Sequence, residues 1–156
     1  MFGNLSELPD SLFEFFSGND LPSKQHEAMM LLTVTEDLWP HSAMVSVGEI
    51  VAVDRQHLRI MMWPGTTTTT NLLRTGRATL VVVHGGKVYY AWLSVEALPQ
   101  RQTANNNLTR FSATIEGIRE DVAKYADIMS GVQIQLKDQD DVLTRWKRTV
   151  EDALID

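Results

Sequence analysis

A chain of 156 residues, 44% hydrophobic and 22% charged, has the length and composition of one globular domain and not of a disordered segment. Its formal net charge of -6 leaves no basic stripe for a phosphate backbone, so nucleic acid is not expected as a partner. The absence of cysteine removes disulfides, thiolate metal sites and cysteine nucleophiles together, and it fits a reducing compartment.

Glu7 and Asp10 stand where an export signal carries Lys or Arg, and no apolar run follows them, so a cytoplasmic location is expected. Asp10 reads as the N-cap of a short helix bearing Leu12, Phe13, Phe15 and Phe16, with Gly18 as its stop. Ala28 to Thr35 is apolar and partly β-branched, the pattern of a buried strand. His41 to Val53 continues as strand, and Gly48 inside it predicts a bulge or sharp bend. Asp54-Arg55-Gln56 reads as a turn, and Leu58 to Trp63 as the next strand. The longest uncharged stretch, Ile60 to Leu73, is broken by Pro64 and filled with threonines, and it is too short and too polar to span a bilayer.

Asn71 to Thr75 predicts one or two helical turns closed by Gly76. Ala78 to Val83 and Val88 to Leu98 are strands joined through Gly85-Gly86, a pair that tolerates positive φ at both turn positions. Gln100 to Asn107 is a polar loop, and Leu108 to Ile118 alternates as a strand. Val132, Ile134 and Leu136 alternate with glutamines as a last half-exposed strand. Asp140 to Ile155 has helical spacing at Val142, Trp146 and Val150. About seven hairpin-connected strands without interleaved long helices predict a mainly β fold, an antiparallel barrel with peripheral helices. The whole of residues 1–156 reads as one domain, with a helix near 10–18, the barrel near 28–136 and a helix near 140–155.

The sharpest local feature is Trp63-Pro64-Gly65 followed by five threonines, Thr66 to Thr70, and Asn71. Threonine is a weak helix former and a good N-cap, so the run belongs where a strand hands over to a helix start. The first turn of a helix offers free N–H groups and partial positive charge, and hydroxyls beside them make a phosphate cradle. The same threonines also suit a loop in which they only cap the helix. His26, His41, His57 and His84 lack metal-ligand spacing, so no metal is expected. No GxGxxG, Walker loop or nucleophile elbow is present. Trp63, Trp92, Trp146, Tyr89 and Tyr90 suit either core and interface packing or stacking on a planar ligand.

Three segments in order carry a resemblance: Ser42-Ala43-Met44-Val45-Ser46-Val47-Gly48-Glu49, Leu58-Arg59-Ile60-Met61-Met62-Trp63-Pro64-Gly65, and the threonines with Asn71-Leu72 and Gly76-Arg77-Ala78-Thr79-Leu80. Arg119-Glu120-Asp121, Tyr125-Ala126, Ser130-Gly131-Val132 and Val142-Leu143-Thr144-Arg145-Trp146 extend it. In this order the chain resembles the pyridoxamine 5′-phosphate oxidase-like family of FMN-binding split barrels, and its short members more than the true oxidases. The resemblance implies an antiparallel split β-barrel and a homodimer with FMN at the interface. It implies that Thr66, Thr67 and Thr68 hold the phosphate, with Thr69 and Asn71 beside them. It places the isoalloxazine edge near Met44, Val45, Ser46 and Val47 and near Met61, Met62 and Trp63. The true oxidases grip phosphate with Arg and Lys, where this chain has apolar residues and threonines, and their substrate residues are not recognisable here. The implied function is that of an FMN-dependent oxidoreductase acting on a small molecule. The alternatives are a non-enzymatic module for FMN or another planar phosphorylated ligand, and a barrel without ligand. No catalytic side chain is singled out, because a flavin ring carries the redox chemistry itself.

Overall fold

Two short helices, α1 (Asp10–Phe15) and α2 (Leu21–Lys24), precede four strands: β1 (Glu27–Val34), β2 (Pro40–Val45), β3 (Ile50–Ala52) and β4 (His57–Met62). Helix α3 (Thr67–Thr75) follows, then β5 (Arg77–His84), β6 (Lys87–Ala97), β7 (Thr109–Asp121), β8 (Val132–Gln133) and α4 (Gln139–Ala153). The computed structural model describes residues 3–100 and 107–156, so most of the loop expected between Gln100 and Asn107 lies outside the described residues.

The strands form one sheet in the order β2-β1-β5-β6-β7-β4-β3, with β8 added on β1. The pairs within it are antiparallel. Seven strands laid flat would separate the first from the last by about 29 Å. Yet β2 and β3 are joined by residues 46–49 alone, a link that reaches at most about 18 Å. The sheet therefore curls until its ends meet, and since β2 and β3 do not pair, the barrel is split between them. Inward-facing Leu31, Leu58, Ile60, Leu80, Leu93, Ala113 and Ile118 fill it. No helix among the described residues is long and apolar enough to cross a membrane.

Several expectations are corrected. Asp10 is not an N-cap but the first residue of α1, and its carboxylate pairs with Arg55 at 2.8 Å. Gly48 is not in a strand: it sits in the turn between β2 and β3, where the ring of Trp146 takes the space of a side chain. Helix α3 starts at Thr67 and not at Asn71, because burial of Thr68, Thr69 and Leu72 outweighs the low helix propensity of threonine. The strand read at Val132 to Leu136 pairs with β1 only through Val132 and Gln133. Gly85 and Gly86 have φ of +59° and +76°, as the tight β5–β6 hairpin requires.

Candidate functional site

The threonine run builds a tight corner between β4 and α3. Thr66 is the N-cap of α3, with extended backbone, and its Oγ1 accepts the Thr69 N–H at 3.2 Å. The Thr69 hydroxyl donates to the Trp63 carbonyl at 2.6 Å, and Thr70 N–H donates to the Thr66 carbonyl at 3.0 Å. The hydroxyls of Thr66 and Thr69 also lie 3.0 Å apart. These two residues thus shape the corner. The N–H groups of Thr67 and Thr68, first in the helix, have no intrahelical acceptor and carry the positive end of its dipole. Thr67 is exposed and Thr68 is buried.

Asn71, 2% exposed, fixes the helix on the barrel. Its amide donates to the Thr33 hydroxyl on β1 at 3.0 Å, and its carbonyl accepts from Arg74 at 3.1 Å. Arg74 also donates to the Val34 carbonyl. Thr33 in turn pairs with His41, which places α3 over the start of β2.

The remaining residues expected near a ligand divide by side of the sheet. Met44 is 57% and Trp63 62% exposed, both large apolar surfaces on the outside, and Met62 is half-buried beside Trp63. Val45 and Val47 belong to the core, so only their backbone reaches outward. Ser46 is buried at the end of β2, and its hydroxyl and N–H donate to Glu49 at 3.0 and 3.4 Å. Burial pushes the Glu49 carboxyl above its ordinary value, and the two Ser46 bonds and the charge of Arg145 offset part of that rise. Glu49 had no motif to mark it in the sequence.

A cleft of about 940 Å³ opens on the outward face of the sheet, lined by Leu32, Arg77, Thr79, Trp92, Ser94 and Glu116 among others. Trp92 pairs with Gly117 and Leu93 with Ile115, so Glu116 is the unmatched residue of a bulge, and it stands in the cleft wall on the same outward face as Ser112 and Thr114. Pro40 also lines the cleft, about 13 Å along β2 from Met44 at strand spacing. Of these residues, the sequence marked only Trp92 as a candidate to stack on a ligand, while Arg77 and Thr79 stood in a segment of the resemblance without a ligand role. Arg77 and Glu116 come from separate strands and share no local pattern.

The donor set at the corner is neutral: residues 63–71 contain no Lys, Arg or His. Two unengaged helix N–H groups and the exposed Thr67 hydroxyl suit a phosphate, with weaker bonds than a cation would make. Trp63 and Met44 suit the face of a planar ring. The residues fit a phosphorylated planar ligand held without a cation. Among the described residues no group of three or more His, Asp or Glu is placed to hold a metal.

No protein-family model matches the chain. It is 49% identical over 145 residues to the uncharacterized protein YclD of Bacillus subtilis, covering 93% of this chain and 94% of YclD. Among solved structures it is similar to a candidate pyridoxamine 5′-phosphate oxidase of Lactobacillus delbrueckii, with TM-score 0.59, 17% identity and coverage of 74% of this chain and 95% of that one. It is also similar to an FMN-binding protein of Syntrophomonas wolfei, with TM-score 0.51, 14% identity and coverage of 70% and 88%. At these identities the likeness to the solved structures is one of fold, the split barrel expected from the order of segments.

Proposed function

Since the chain belongs to one family with YclD and has the split-barrel fold of pyridoxamine 5′-phosphate oxidase-like proteins, we propose that it is a flavoprotein that binds FMN as a homodimer and acts as an oxidoreductase on a small molecule. The observation that carries this reading is the strand-to-helix corner at Thr66, where the first N–H groups of α3 are left without intrahelical partners. In this reading Thr67 and Thr68 hold the phosphate through their N–H groups and the Thr67 hydroxyl. Thr66 and Thr69 hold the corner in shape, and Asn71 holds the helix against β1. Met44, Met62 and Trp63 flank the ring, and Val45, Ser46 and Val47 support it from behind through the backbone of β2 and its turn. The ring, when bound, takes up and releases electrons.

Homodimer formation is supported by exposed apolar side chains. Met44 is 57% and Trp63 62% exposed at the proposed flavin site, and Tyr125 and Met129 are each 94% exposed. A second reading, a flavin storage or sensing module, is favoured by one observation. Residues 44–47 and 62–71 contain no carboxylate, imidazole or amine side chain, so these segments themselves supply no general acid.

Visible absorbance of the purified protein and a titration of FMN fluorescence test the flavin reading. Colour, or quenching of added FMN, is expected; a colourless protein that leaves FMN fluorescence unchanged at high protein concentration contradicts it. Anaerobic mixing of the loaded protein with reduced nicotinamide cofactors separates the two functions. Bleaching faster than that of free FMN supports the oxidoreductase, and bleaching no faster supports the module.

A further inference from the structure

We propose that the outward cleft is a second ligand site, which takes a small zwitterionic molecule with a planar ring: the ring on Trp92, the anionic group on Arg77 and the ammonium on Glu116. Its volume of about 940 Å³ is within the range of sites for molecules of a few rings. Its wall carries one cation and one anion, Arg77 on β5 and Glu116 on β7. Among the described residues neither is ion-paired, with each other or with a third group. Opposite charges that share a cleft without neutralising each other are left to a ligand with the complementary pair.

The floor suits such a ligand. The Trp92 side chain is half-buried at a bulge, with Leu32 beside it and the Thr79 and Ser94 hydroxyls at hand. An indole accepts both a stacked ring and a nearby ammonium. Glu116 reaches this face by the ordinary alternation of β7, in step with Ser112 and Thr114, and the bulge leaves it without a partner residue on β6.

This site does not rest on the flavin reading. Pro40, at its rim, and Met44, beside the proposed flavin, are about 13 Å apart along one strand. Both sites lie on one face, so the second would hold a molecule beside a flavin bound at the first.

The test uses the full chain without flavin and 5-fluorotryptophan as probe, followed by its ¹⁹F resonance, with tryptamine and indole-3-propionate as competitors. The resonance should broaden on addition of protein at millimolar probe. Arg77→Gln should weaken 5-fluorotryptophan and indole-3-propionate about tenfold and leave tryptamine unchanged, the loss of one charge-assisted bond. Glu116→Gln should weaken 5-fluorotryptophan and tryptamine similarly and leave indole-3-propionate unchanged. Both residues are exposed, so the variants keep the fold. No broadening, or equal affinities of all three compounds for wild type and both variants, overturns the proposal. Displacement of the probe by FMN would overturn the separateness of the two sites, and failure of FMN to bind would leave this site standing.

Discussion

Trp146 of α4 lies against Gly48 so closely that a Cβ at position 48 would stand 2.1 Å from its Cγ. The two residues are far apart in sequence, and their contact fixes α4 on the turn that brings the two ends of the sheet together. Gly48→Ala should therefore destabilise the fold by about 1–3 kcal/mol, since the buried indole must shift to admit a methyl group. Urea unfolding measures this, and a variant as stable as wild type would mean that α4 is free to give way.

Thr66 and Thr67 are neighbours with different work. Thr66→Ala removes the N-cap bond to Thr69 N–H and should cost about 1 kcal/mol of stability. Thr67→Ala removes an exposed hydroxyl without a bond in the corner and should leave stability within about 0.5 kcal/mol. Thermal unfolding of both variants distinguishes them. Equal losses would place the cap elsewhere.

Glu49 makes stability depend on pH. Its folded value is raised by burial, so its contribution is fully present below the unfolded value of about 4.3 and is lost as pH rises through the folded value. Above that, the fold carries a desolvated carboxylate. In Glu49→Gln this cost is absent, so the stability of the variant relative to wild type should rise from pH 4 upward and then level off. Paired urea titrations at several pH values measure it. A difference that is flat or falls with pH contradicts the assignment.

Much of the barrel was legible because period-two alternation marks strands that face a core on one side, as in β5 and β6 around Gly85-Gly86. The role of Gly48 was not, since it depends on a tryptophan at the other end of the chain. The start of α3 was hidden by threonines whose propensity argues against helix while their burial decides for it. At the candidate site the order of segments pointed to the corner, but not to the division of labour among hydroxyls that its hydrogen bonds reveal. The cleft was out of reach because its lining comes from separate strands that only the sheet brings together.

The proposed homodimer should sediment at about twice the 17.6 kDa chain mass at micromolar concentration. Replacing exposed Trp63 and Met44 with serine and threonine should shift it toward monomer if these surfaces lie at the interface. A wild-type monomer would remove the second copy from the proposed flavin site.

The most direct measurement is the affinity of the flavin-free protein for FMN and for riboflavin, side by side in the same buffer, for wild type and for the Thr67→Ala variant. FMN should bind wild type more tightly than riboflavin, because only FMN carries the phosphate that the N-terminus of α3 would hold. Thr67→Ala should narrow that gap and leave riboflavin unchanged. Equal affinity for the two flavins in wild type would contradict the phosphate site, and binding of neither would contradict the flavoprotein.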